Sequence, residues 1–148
     1  MRQVNSTDLS GEQEDILLDA PLKDVILISG PPGSGKTVMA FHRAEALATK
    51  FDSVNLMMFN KVLRKFSNNA TSDKKIKVKT MHSWFYGWWR DVTKTKPPQI
   101  EDWVYDWKRM FNILLEKQTS GDLDIDKLHW GHIVIDEAQD FSNKRYEF

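Results

Sequence analysis

Val25-Ile26-Leu27-Ile28-Ser29-Gly30-Pro31-Pro32-Gly33-Ser34-Gly35-Lys36-Thr37 is the stretch that decides the fold. Four consecutive apolar residues predict a strand buried on both faces, and such strands belong to parallel sheets. Gly30 to Thr37 then matches the pattern G-x-x-x-x-G-K-[ST], the Walker A loop. Glycines let the backbone curl until its N–H groups face phosphate oxygens, and the following helix adds the positive end of its dipole. Lys36 brings a mobile positive charge for the terminal phosphates, and Thr37 brings a hydroxyl for Mg²⁺. Gly30, Pro31, Pro32, Gly33, Ser34, Gly35, Lys36 and Thr37 are thus expected to hold nucleotide phosphates. Lys36 to Thr49 reads as the helix that follows, with Ala40, Ala44, Leu47 and Ala48 on its packing side.

Moving outward, Leu9 to Leu18 precedes the loop as a helix that Ser10 can cap. Val54 to Phe59 reads as a second buried strand and Ile76 to Lys79 as a third, with a short basic helix over Lys61 to Phe66 between them. Met81 to Arg90 is an aromatic-rich helix whose Trp84, Trp88 and Trp89 suit a core face. Ile100 to Lys117 reads as one amphipathic helix with Ile100, Trp103, Val104, Trp107, Phe111, Leu114 and Leu115 sharing a face. Ile133-Val134-Ile135 is a last strand. Strands alternating with helices predict βαβ units, an α/β class and a mostly parallel sheet flanked by helices. Ligands in such sheets lie beyond the carboxyl ends of the strands.

The last strand carries the second motif. Ile133-Val134-Ile135 runs into Asp136-Glu137-Ala138-Gln139-Asp140. Asp136 at the strand tip can hold Mg²⁺ opposite Thr37. Glu137 can orient and deprotonate a water for in-line attack on the γ-phosphate, and Gln139 can sense that phosphate.

Composition bounds the rest. The chain has 148 residues, the length of one ordinary domain. With no cysteine, a disulfide scaffold and a zinc ribbon are excluded. No apolar run approaches the length of a membrane span, and the first residues carry no apolar signal core, so a cytoplasmic protein is expected. Lys plus Arg and Asp plus Glu balance at 21 each, yet the charge is uneven. Between Asn60 and Lys96, ten basic residues face only Asp73 and Asp91, which leaves this segment at +8. A basic stretch with interleaved aromatics is what a single-stranded nucleic acid needs. His129, His132 and Asp126 lack the further ligands of a metal site, and the Asp122, Asp124, Asp126 loop lacks the glycine and distal glutamate of a calcium loop.

Taken in order, these motifs resemble those of the UvrD/Rep-like superfamily 1 DNA helicases. Gly30 to Thr37 resembles their motif I, and Asp136 to Asp140 after the apolar strand resembles motif II. Leu9-Ser10-Gly11-Glu12-Gln13 resembles the Q motif, 17 residues ahead of Gly30, which implies that Gln13 reads adenine. Met58-Phe59-Asn60-Lys61 resembles motif Ia, and Thr80-Met81-His82-Ser83 resembles the T-x-H-S motif. By resemblance, Phe59, Asn60, Lys61, Arg64, Thr80 and His82 touch single-stranded DNA. The resemblance implies a RecA-like P-loop NTPase, with ATP and Mg²⁺ as cofactors. Residues 1–148 would then be a single ATP-binding domain, the N-terminal part of a longer helicase, with a reduced helical insertion over 92–129 before the Walker B strand. A second RecA-like domain of the same protein would be its partner. Without that domain, slow ATP turnover is expected.

The chain departs from the family at Val38, where many members carry an arginine that packs on adenine. A small-molecule P-loop kinase and a non-catalytic nucleotide or single-strand sensor are the other readings of the same loop. The hydrolase-type Asp136-Glu137-Ala138-Gln139 run argues against the kinase.

Overall fold

The computed structural model describes residues 10–22, 24–58, 75–102 and 104–138. In chain order the elements are α1 (Gly11–Asp19), α2 (Lys36–Ala48), β1 (Val54–Met57), β2 (Ile76–Lys79), α3 (Met81–Thr93), β3 (Gln99–Glu101), β4 (Val104–Tyr105), α4 (Trp107–Ser120) and β5 (His132–Ile135). A single 3-10 turn covers Ile125–Lys127. The chain divides into two compact units, Met1–Lys79 with Gly131–Phe148, and Thr80–Trp130.

The first unit holds a three-stranded parallel sheet in the order β2-β1-β5. Val54 pairs with Ile76 on one side and His132 on the other. β1 is central, so its apolar residues Val54, Leu56 and Met57 are fully buried, while Asn55 is half-buried. Helix α2 covers one face through Phe41, Ala44, Leu47 and Ala48, which form one cluster with Val54, Leu56, Met58 and Ile76. These helix positions recur at spacings of three and four, a single stripe on a 3.6-residue period. Each of Phe41, Leu47 and Leu56 gains about 1.5–3 kcal/mol from that burial. Two backbone bonds extend the ladder past the strand ends, Met58 N to Lys79 O at 3.1 Å and Asp136 N to Met57 O at 2.9 Å. The second bond fixes Asp136 at the carboxyl end of the sheet.

One expected strand does not join this sheet. Val25 to Ile28 forms no ladder with any described strand, and its Leu27 is 85% exposed. An apolar run suits a strand flanked on both edges and covered on both faces. Among the described residues β5 is the end of the sheet, and no neighbour supplies those contacts to Val25–Ile28.

The second unit is built on aromatic packing. Thr80 caps α3 by accepting from Ser83 N at 3.2 Å. That start directs Trp84, Phe85, Trp89 and Val92 inward; Trp84 and Trp89 are buried as expected, Trp88 is half-buried, and the helix runs to Thr93. Trp84 and Trp88 stack at 6.2 Å and 9°, and Trp130 meets both edge-on. Phe85, Tyr105 and Trp107 form a second group with centroids 4.9–5.5 Å apart. Such tilted and edge-on pairs add about 0.5–1.5 kcal/mol each beyond their burial.

The single helix expected over Ile100 to Lys117 is corrected here. Gln99–Glu101 and Val104–Tyr105 instead form the antiparallel β3–β4 pair, with an irregular register, and the helix is Trp107–Ser120. Asp106 decides the boundary, because its carboxylate accepts from Arg109 N at 3.0 Å and caps the helix there. The shared face therefore does not exist. Ile100 and Val104 lie exposed on these two strands, and Phe111 is 60% and Leu115 47% exposed. Met110 is the one fully buried side chain of α4 among the described residues, and Trp107 is half-buried. Trp103 lies outside the described residues, as does the basic helix expected over Lys61 to Phe66.

Candidate nucleotide site

The loop before α2 has the backbone its glycines anticipate. Gly33 and Gly35 adopt left-handed φ values of 82° and 79°. Gly35 is the N-cap of α2, so the chain turns into the helix with no side chain shielding its first N–H groups. Ser34 N donates to Pro31 O at 3.2 Å and closes the turn. Lys36 folds back over the loop, with Nζ donating to Gly30 O at 2.9 Å and to Pro31 O at 3.0 Å. Two neutral carbonyls thus hold the ammonium where negatively charged phosphate oxygens would outcompete them by direct charge attraction.

Gln13, expected to read adenine, bonds the phosphate loop itself. Its Oε1 accepts from Ser10 N at 2.9 Å, and Ser10 Oγ accepts from Gln13 N, a capping box on α1. Its Nε2 donates to Ser34 O at 2.6 Å. Gln13 therefore braces α1 against the phosphate loop. The φ of Gly35 calls for glycine, and a Cβ there would also approach Gln13 Nε2 to 2.8 Å, so the amide would have to shift. The spacing Ser10-x-x-Gln13 was the available signal.

At the end of β5, Asp136 is 3% exposed. Burial raises its carboxyl pKa above the usual range, and the neighbouring Glu137 charge adds to that, while hydrogen bonding toward Thr37 and the Lys36 charge oppose it. Asp136 Oδ2 is buried without a hydrogen-bond partner. A buried carboxylate oxygen left open beside a threonine hydroxyl is what an oxygen-loving divalent cation needs. Mg²⁺ commonly binds through one carboxylate, phosphates and waters. Thr37 and Asp136 therefore fit Mg²⁺. Among the described residues no group of three His, Cys, Asp or Glu side chains can hold a metal ion, and His132 instead stacks on Phe51 at 3.6 Å.

Glu137 follows with φ 56°, left-handed for a residue with a Cβ. Such a conformation costs on the order of 1–3 kcal/mol and gathers at working sites. No residue in Asp136-Glu137-Ala138 announces it in the sequence.

Residues 13–148 match the family described as AAA domain. The chain belongs to that family. No curated protein and no solved structure matches it. Membership carries the α/β P-loop fold and makes this AAA domain a nucleotide-binding, NTPase-class module, for which ATP with Mg²⁺ is the general ligand. No described helix is long and apolar enough to cross a membrane.

The site residues divide accordingly. Within the first unit lie Gln13, Gly30 to Thr37, Val38, Asp136 and Glu137, and Thr37, Lys36 and Glu137 each act on the Asp136 carboxyl. Val38 is half-buried in the first turn of α2. Thr80 and His82 belong to the second unit. Thr80 spends its hydroxyl on the α3 cap, and the His82 ring lies 5.8 Å from Tyr105. Phe59, Asn60, Lys61, Arg64 and Gln139 lie outside the described residues.

Proposed function

We propose that this AAA domain is the motor domain of an ATP-dependent DNA helicase or translocase, similar to the UvrD/Rep-like superfamily 1 enzymes. The observation that carries the ATPase part is the convergence of Lys36, Thr37, Asp136 and Glu137 at one end of the sheet. Loop N–H groups and Lys36 bind the phosphates of ATP. Thr37 and Asp136 would hold Mg²⁺, which neutralises phosphate charge when bound. Glu137 accepts a proton from the water that attacks the γ-phosphorus, and ADP leaves with the electron pair of the broken P–O bond. Gln13 links the loop to the adenine side of the nucleotide, and Gln139 senses the γ-phosphate.

The helicase part rests on the series of resembling motifs and on the +8 segment from Asn60 to Lys96. In this reading Phe59, Asn60, Lys61, Arg64, Thr80 and His82 contact single-stranded DNA. The experiment is ATP turnover with and without a single-stranded oligonucleotide. Stimulated hydrolysis supports the motor. Nucleotide binding with no turnover under either condition supports a sensor or a motor domain lacking its second RecA-like domain, and phosphoryl transfer to a metabolite overturns the motor in favour of a kinase.

A further inference from the structure

The second unit carries a groove of about 660 Å³ between the Thr95–Pro98 segment and α4. Lys96 stands on one wall, and Arg109 and Lys117 stand on the other. Glu116 is the one carboxylate lining it. The ion pairs of this unit show a division. Lys94 and Lys127 share Asp124 as their ion-pair partner, at 3.6 and 3.1 Å. Lys96, Arg109 and Lys117 have no carboxylate within ion-pair distance among the described residues, not even Glu116. Three of the unit's unpaired cations thus line the groove, at net +2, while Arg90 and Lys108 stand outside it.

We infer that this groove binds the backbone of a single-stranded nucleic acid, as a contact separate from the motif residues named above. The inference deepens the proposed function and rests on it for the class of partner. Four features favour that occupant. Lys96 is the last cation of the +8 segment, so the basic stretch continues into the groove. Arg109 and Lys117 lie eight residues apart on α4, about 12 Å along its axis. That distance exceeds one phosphate spacing, so the two cations can meet separate phosphates of one strand. Ile113 and Pro98 add apolar surface, which suits the sugars and bases that a single strand exposes and a duplex hides. The wall is also preset. Pro97 and Pro98 fix their φ angles, and Pro98 O accepts from Asp106 N at 3.0 Å, so little ordering accompanies binding.

The test uses the full chain, a fluorescent single-stranded oligothymidine and a duplex of equal length, each titrated at several salt concentrations. The triple variant Lys96→Glu, Arg109→Glu, Lys117→Glu is compared with the wild type and with Lys108→Glu, which changes an exposed α4 cation outside the groove. The salt slope for the single strand is expected to fall by about 2 units in the triple variant, at about 0.7 per lost phosphate contact. Lys108→Glu is expected to leave it unchanged, and ATP affinity is expected to stay at the wild-type value in both. A neutral triple variant with glutamine at the three positions should lose the same slope, which guards against misfolding of the reversed one. A wild-type slope in the triple variant overturns the groove while leaving the motor reading intact. A wild type that binds no oligonucleotide overturns both. Capture of poly-glutamate in place of the oligonucleotide, or tighter binding of the duplex, overturns the single-strand assignment.

Discussion

Gly35→Ala offers a quantitative check on the brace between α1 and the phosphate loop. Two separate penalties act at this position. Alanine at φ 79° places a Cβ in the left-handed region, at about 1–2 kcal/mol. The new Cβ also meets Gln13 Nε2 at 2.8 Å, so the amide must swing away. Its bond to Ser34 O is then lost, with a net contribution of about 0.5–1.5 kcal/mol. Together these give about 2–3 kcal/mol, and at roughly 2–4 °C per kcal/mol for a chain of this size the Tm falls by roughly 4–12 °C. Gln13→Ala by itself should remove the bond and the capping box, at about 1 kcal/mol. In the double variant the alanine at position 35 no longer has an amide to displace, so only the backbone penalty remains. Urea unfolding of the wild type, both single variants and the double variant completes the cycle. A coupling of about 0.5–1.5 kcal/mol is expected, since contacting residues depart from additivity on this scale. Strict additivity within about 0.3 kcal/mol would refute the contact between Gln13 and Gly35.

Other expectations follow from the same site. Lys36→Ala should abolish ATP binding in calorimetry and leave the Tm nearly unchanged, because its two bonds lie on an exposed loop; unchanged affinity removes Lys36 from the phosphate site. Glu137→Gln should bind ATP normally and fail in single-turnover hydrolysis, and a wild-type chemical step ends its role as base. Glu137→Gly should also block turnover while raising the Tm by roughly 2–4 °C, since glycine relieves about 1 kcal/mol of left-handed strain; a lowered Tm refutes the strain. Asp136 has a raised pKa in the folded state, so that state binds more protons than the unfolded one just above the usual carboxylate range. Its contribution to stability is therefore full at low pH and falls as pH rises through the folded value. Asp136→Asn should raise the Tm at pH 7 without Mg²⁺ and remove the added stabilisation that Mg²⁺-ATP gives the wild type. A destabilised variant at pH 7 contradicts the buried, unpartnered Oδ2.

Much of the α/β frame was readable because its signals are local. The strands Ile76–Lys79 and His132–Ile135 and the helices starting at Lys36 and Met81 follow from periodicity and caps within a few residues. The phosphate loop was legible for the same reason, since only glycine tolerates φ values near 80° at Gly33 and Gly35. Where partners lie far away in the chain, the pattern misled. Ile100 to Leu115 carries helical spacing, but spacing does not say where a helix begins, and the Asp106 carboxylate capping Arg109 N moved the start to Trp107. Val25 to Ile28 has a buried strand's composition, yet a strand forms only beside another, and no described strand lies beside it.

The sequence by itself named the candidate chemistry, namely which side chains are proposed to bind phosphate, hold a divalent cation and activate water, because those roles belong to residue types at short spacings. The tertiary structure alone decided how they are held. Gln13 reaches Ser34 across 21 positions of chain, Asp136 is desolvated where β5 ends, and Glu137 is turned to φ 56° just beyond it. The three free cations of the groove come from two segments that share no motif. Burial, long-range hydrogen bonds and charge pairing depend on which segments meet in space, and no window along the chain contains that information.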